Sequence, residues 1–204
     1  MVKPYIPTVV IDDFFETPEL WRYFALNQEF FKGNRGTWPG LRTKMLYDLC
    51  PALYNTLEFK LLQHVPFNSF SKIETTFQII DETYGKGWVH DDNPEHDVAG
   101  VIYLNEHTVP NSGTTLYSDK FDISGDHYTE LFVKDVSTDT PEEREQFNKY
   151  REEQRSFFTQ TASVDSRWNR CIIFDPRTWH SADNFFGTTK EDARLTLVFF
   201  GNAA

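Results

Sequence analysis

His90 and Asp92 stand two residues apart in Trp88-Val89-His90-Asp91-Asp92, between the apolar, β-branched runs Lys72 to Ile80 and Asp97 to Asn105. On a strand, side chains at i and i+2 leave from one face, so the pair presents an imidazole and a carboxylate to a single ion. Alone, such a pair is most often two polar residues at a strand end. His180, after a second apolar strand, offers a third ligand, and Arg194 and Thr196, again at i and i+2, put a guanidinium beside a hydroxyl on another strand. Two histidines and one carboxylate with the other positions open suit non-haem Fe(II). Zinc in a hydrolase accepts the same donors, so the ligands alone leave the metal open. An Arg fork beside a hydroxyl grips a carboxylate bidentately. A dicarboxylic keto acid could thus chelate the metal at one end and reach Arg194 with the other. The competing role for Arg194 is a surface ion pair with Glu191 or Asp192.

The rest of the chain supplies elements to position these groups. Thr8 to Ile11 is a short strand pattern, and Thr17-Pro18-Glu19 opens a helix to about Phe30 with Leu20, Trp21, Phe24 and Ala25 at helical spacing. Gly33 to Gly40, with Pro39, has loop composition. Pro51 to His64 carries Leu53, Leu57, Leu61 and Leu62 at helical spacing, and His64 is placed to complement the helix dipole, not to bind metal. From Ser71 the period becomes two: Ile73, Thr75, Phe77 and Ile79 alternate with Glu74, Thr76, Gln78 and Ile80. The turn Tyr84-Gly85-Lys86-Gly87 then delivers the His90 segment. Further strands are expected at Val98 to Leu104, Thr114 to Tyr117, Asn169 to Phe174 and Arg194 to Phe200. Asp119 to Gln160 forms a charged insertion. Within it Thr140, Pro141 and Glu143 cap a helix with Phe147, Tyr150, Gln154 and Phe157 on one face, lying over a sheet edge or as a lid. The expectation is one domain over residues 1–204, mainly antiparallel β (α+β) with helices packed on it.

Composition narrows the classes. A net charge of -11 over 204 residues, with no basic patch, argues against nucleic-acid binding. Cys50 and Cys171 belong to no C-x-x-C pair, so neither a disulfide framework nor a thiolate zinc site is indicated, and a cytoplasmic setting is expected. No segment approaches the roughly 18 apolar residues of a membrane span, and no leader pattern opens the chain.

The order H-x-D, distal His, Arg-x-Thr resembles the 2-oxoglutarate and Fe(II)-dependent dioxygenases, especially the prolyl-4-hydroxylase-like branch. TVVIDDFFETPEL is similar to that branch's opening strand and helix. AGVIYLN followed by SGTTLY is similar to its Y-L-N and G-G-T strands, and NRCIIFDPRTWHSADNFFG to its distal-histidine segment. The resemblance implies a double-stranded β-helix, or jelly roll, with N-terminal supporting helices and one inserted helix. It implies His90, Asp92 and His180 as Fe(II) ligands, Arg194 as the anchor of 2-oxoglutarate, Thr196 as the hydroxyl beside it and Tyr103 as a further polar contact. O2 and 2-oxoglutarate would be consumed, succinate and CO2 released, and a C–H bond of a peptide side chain or small molecule hydroxylated. Asp92 speaks against a halogenase, which needs that position vacated. Trp88, Trp179, Phe185 and Phe186 are candidates for the mouth. The chain departs from the branch at Gly87, where a tyrosine is usual, at Ser112 in place of the first Gly of G-G-T, in a longer gap from His180 to Arg194, and in its charged insertion. The competing expectation is a non-catalytic jelly-roll module binding carbohydrate or peptide.

Overall fold

The computed structural model describes residues 5–32, 39–119 and 140–204, apart from the Phe147 side chain. Residues 33–38 of the expected Gly-rich loop and 120–139 of the insertion lie outside them. The described helices are α1 (Pro18–Leu26), α2 (Leu46–Leu49), α3 (Pro51–Leu62) and α4 (Pro141–Arg155). The strands are β1 (Val9–Ile11), β2 (Phe31–Lys32), β3 (Leu41–Arg42), β4 (Phe70–Ile80), β5 (Val98–Tyr103), β6 (Thr114–Asp119), β7 (Phe158–Val164), β8 (Cys171–Phe174), β9 (His180–Ala182) and β10 (Arg194–Ala203). They form a large sheet in the order β1-β8-β5-β10-β4-β3-β2 and a small one in the order β7-β6-β9, with every pairing antiparallel.

β10 shows how the sequence builds both faces of the large sheet. Its odd-numbered Leu195, Leu197 and Phe199 join Ile73, Phe77 and Ile79 of β4 in a dry core. Over that core lie Trp21 and Ala25 of α1, Leu46 of α2, and Leu57 and Leu61 of α3, all buried. Its even-numbered Arg194, Thr196, Val198 and Phe200 face the other way, alongside Ala99, Val101 and Tyr103 of β5 and Phe174 of β8. The small sheet covers this second face, for Val164 packs into its apolar cluster and Thr114 bonds Tyr103. Two antiparallel sheets facing each other give the expected jelly roll.

The local differences have identifiable causes. α1 stops at Leu26, short of Phe30, because Asn27 closes the last turn by donating to Phe24 O (3.2 Å), and the chain then runs out toward β2. His64 lies beyond α3, and burial together with Lys60 lowers its pKa, so it carries less charge for the helix dipole than expected. The capping box of α4 forms as the sequence indicates, with Glu143 N donating to Thr140 Oγ1 and Thr140 N to Glu143 Oε2. β7 takes the end of the charged insertion into the small sheet, and β9 is a three-residue strand made by pairing with Thr114 to Leu116. Among the described residues, no helix is long and apolar enough to cross a membrane.

Candidate active site

The His90 segment meets β9 edge to edge. His90 N donates to His180 O (2.9 Å) and His180 N to His90 O (2.8 Å), a reciprocal pair that sets the two imidazoles side by side with centroids 4.4 Å apart. Asp92 is fixed by its own N–H, which donates to Pro176 O (2.8 Å). Its Oδ1 lies 3.8 Å from His90 Nε2 and its Oδ2 3.7 Å from His180 Nε2. These three residues form a cluster whose ligand atoms all lie within 4.8 Å of one another. Ligand bonds of about 2.1 Å place adjacent donors roughly 3 Å apart, so each of the two carboxylate–imidazole separations needs to close by under about 1 Å to share one ion. Both rings are oriented for it: His90 Nδ1 lies 3.2 Å from Trp88 O and His180 Nδ1 2.8 Å from Thr178 O. With a proton on each Nδ1, both Nε2 lone pairs turn to the metal side.

Burial of the ring, then the neighbouring His180, lower the His90 pKa to about 4 against the opposing pull of Asp92. This holds although 37% of the side chain faces the open cavity. A metal ligand must be neutral, so His90 is in its ligating form at any near-neutral pH. Below about pH 6.5 the unfolded chain protonates His90, whereas the folded chain does so only near 4, so stability contributed by this residue is lost as pH falls between those values. In equilibrium denaturation, the metal-free protein should lose more stability from pH 7 to pH 5 than His90→Gln does. Parallel pH profiles would contradict it.

Arg194 is only 3% exposed, which removes the surface ion pair with Glu191 or Asp192. Asp192 instead accepts from Thr188 N and Thr189 N. The Arg194 Nε donates to Ser112 O (3.2 Å), and its guanidinium carbon lies 5.3 Å from the Tyr103 ring centroid and 5.7 Å from that of Phe185. Burial lowers its pKa, Tyr103 and Asp183 opposing. Thr196, on the same face, holds a buried hydroxyl that makes no hydrogen bond. Leaving such a group unsatisfied costs about 1–3 kcal/mol, and Thr196 itself is not among the residues that line the cavity. Tyr103 is buried and is not among the residues lining the cavity; its hydroxyl lies 2.7 Å from Thr114 Oγ1. Ser112, at the departure from G-G-T, is buried and bonds Val109 O and Ser166 Oγ, each at 2.5 Å.

The insertion holds the ligand segment in place. Val89 N donates to Gln154 Oε1 (3.1 Å) and Gln154 Nε2 donates back to Val89 O (2.6 Å), so the amide of α4 imitates a strand partner next to His90. Next to it Arg155 donates to Gly87 O (2.6 Å) and Tyr117 Oη (2.9 Å), and about one turn earlier Arg151 donates to Tyr84 O (2.8 Å) and Lys86 O. Spacings of three and four residues put these side chains on one helix face. On the segment's other edge, Gly87 N donates to Ala182 O, and a Cβ on Gly87 would stand 2.8 Å from that oxygen. That close approach explains why no tyrosine occupies this position. Gln154→Ala should weaken metal binding by about tenfold or more while far-UV dichroism stays unchanged, as losses in a ligand's supporting shell do. An unaltered metal Kd in a competition assay would show that the amide pair does not position His90.

The triad and Arg194 open onto a cavity of about 500 Å³ with Trp88, Phe174, Phe185 and Phe200 in its wall. Of the other aromatics expected at the mouth, Trp179 packs on Phe158 (5.0 Å) in a separate cluster with Val89 and Tyr117, and Phe186 is not in the wall. The wall also holds Arg42 of β3 and Gln78 of β4, neither of which the sequence marks as a site residue. Gln78 was legible as facing the same side as Ile80, but nothing placed the two-residue β3 beside it.

No curated protein matches the chain in sequence. In fold it is similar to HygX from Streptomyces hygroscopicus with nickel, 2-oxoglutarate and hygromycin B bound, at 14% identity and a TM-score of 0.58, covering 96% of this chain and 82% of HygX. It is similar also to a prolyl hydroxylase from Trichoplax adhaerens in complex with a hypoxia inducible factor peptide (12% identity, TM-score 0.58, 96% of this chain and 83% of that one). A Pseudomonas putida prolyl-4-hydroxylase gives 14% identity and a TM-score of 0.55, over 97% of this chain and 92% of that one. The fold is therefore the double-stranded β-helix of the 2-oxoglutarate oxygenases, as the sequence resemblance implied. A family model matches residues 2–200, and the chain belongs to that family, described as a family of unknown function, DUF6445.

Proposed function

We propose that the chain is a single-domain Fe(II)- and 2-oxoglutarate-dependent oxygenase that hydroxylates a C–H bond of a small molecule or peptide side chain. The observation that carries this reading is the convergence on one cavity of the His90, Asp92 and His180 cluster and the buried Arg194. In this reading His90 Nε2, His180 Nε2 and an Asp92 oxygen hold Fe(II), the single carboxylate offsetting part of its charge. Arg194 anchors the distal carboxylate of 2-oxoglutarate, Thr196 supplies the adjacent hydroxyl, and Tyr103 keeps Arg194 and Thr114 in place. Bound iron supplies the redox chemistry that consumes O2 and 2-oxoglutarate and releases succinate and CO2. The protein's part is orientation and exclusion of water, the latter by the aromatic wall. The free thiols of Cys50 and Cys171 suit a reducing, cytoplasmic setting. The structures similar in fold hold hygromycin B in one case and a peptide in another, which supports leaving both a small molecule and a peptide within the proposal.

The test is anaerobic reconstitution with Fe(II). Adding 2-oxoglutarate should raise a weak visible charge-transfer band, and admitting O2 should yield succinate above a metal-free control. Stoichiometric iron with neither band nor succinate would overturn the proposal.

A further inference from the structure

Arg42 is a second cation in the cavity wall, at a station separate from Arg194. Across the large sheet Arg42 pairs with Gln78, Gln78 with Thr196 and Thr196 with Tyr103, so one polar row crosses the face that looks into the jelly roll. Arg194 lies in the next row, opposite Ile80. With strands ~4.8 Å apart and residues i and i+2 ~6.8 Å apart, the Cα atoms of the two arginines are on the order of 12 Å apart. Their electrostatic neighbours differ as well. Arg42 acts on Asp92 and His90, whereas Arg194 acts on Tyr103 and Asp183. A 2-oxoglutarate held at Arg194 would thus occupy one station of the wall, and Arg42 stands at another, on the side of the triad. Burial lowers the Arg42 pKa to about 10, which leaves it cationic at neutral pH in a desolvated setting where an anion is held strongly.

On the reading of the site as a 2-oxoglutarate oxygenase, we infer that the prime substrate carries a carboxylate held by Arg42 and Gln78, on an apolar or aromatic body packed against Trp88, Phe174, Phe185 and Phe200. Gln78 is 5% exposed and donates Nε2 to Pro39 O (3.0 Å), so its amide is held at a fixed orientation in the wall. Asp91 shares the wall and adds negative charge there, which favours a carboxylate over a more highly charged phosphate.

The test uses the full chain loaded with Ni(II), with 2-oxoglutarate at saturation so that Arg194 is taken. Phenylacetate and N-acetylphenylalanine are compared with their primary amides by shift of the thermal midpoint. The acids should bind roughly tenfold or more tighter than the amides, and Arg42→Met should erase that preference. In the Fe(II) form of Arg42→Met, the charge-transfer band should still develop at the same 2-oxoglutarate concentration, which shows that fold and co-substrate site persist. Equal binding of acids and amides, a preference that survives Arg42→Met, acids that displace 2-oxoglutarate, or no binding of either acid at millimolar concentration would each overturn the inference. Failure of the oxygenase reading is distinguishable, because then the wild-type protein with Fe(II) gives no band at all.

Discussion

Asp92→Ala is expected to yield a folded protein that retains no stoichiometric iron, while Asp91→Ala retains it. The two carboxylates are adjacent in sequence, but only Asp92 brings its oxygens to 3.8 and 3.7 Å from the two imidazole Nε2 atoms. Its backbone bond to Pro176 O uses the N–H, which alanine keeps, so the local chain path survives the substitution. What disappears is the anionic ligand. Two neutral imidazoles then face a dication alone, with the Arg42 guanidinium nearby and no longer offset by Asp92. Changes in the shell behind metal ligands already cost 10–100-fold in affinity, so loss of a ligand should exceed about 100-fold. Metal analysis after anaerobic loading and desalting reads the result directly. Full iron occupancy in Asp92→Ala would remove this residue from the ligand set, and iron loss in Asp91→Ala would mean that the wrong carboxylate had been assigned.

What the sequence revealed depended on whether a residue's role follows from its own type and spacing. Arg194 and Thr196 share a face of β10 as an i, i+2 step on a strand requires, whereas His90 and Asp92, expected on a strand as well, lie outside any strand, and His90 makes a single bridge to His180. The long β4 was equally evident, since alternation over ten residues has few competing explanations, and β10, expected to Phe200, runs on to Ala203. β9 was not, because His180-Ser181-Ala182 is too short to alternate and exists through its pairing with β6. The partnership of Gln154 with the His90 segment was hidden for another reason. Its partner is the backbone of Val89, and backbone polar groups carry no sequence signature. Arg42 shows the same limit at a wall position, for it reaches the cavity only because β3, two residues long, docks on β4. Local pattern thus marks His90, Asp92 and Arg194 as candidates that the fold gathers at one cavity, and non-local pairing decides what surrounds them.

Arg194→Met should raise the 2-oxoglutarate concentration needed for the visible Fe(II) band by about 100-fold or more, with iron content unchanged. Hydrogen bonds to a charged partner contribute about 1.5–3 kcal/mol each, and a guanidinium fork can make two to one carboxylate, so losing both corresponds to roughly two orders of magnitude. Methionine retains an aliphatic stem between Tyr103 and Phe185 and introduces no buried charge, so a loss of co-substrate affinity is separable from unfolding. Arg194→Lys keeps the charge but not the fork, and should fall between the two. Thr196→Val sharpens the argument. Its hydroxyl makes no hydrogen bond within the protein, so replacing it by a methyl of the same shape should leave the metal-free protein at least as stable, yet weaken 2-oxoglutarate binding by about 1 kcal/mol. A structural role for that hydroxyl predicts the reverse pattern, with stability lost and co-substrate affinity kept. Equal 2-oxoglutarate titrations in wild type and Arg194→Met would move the anchor elsewhere, and Arg42 would then be the cation to examine.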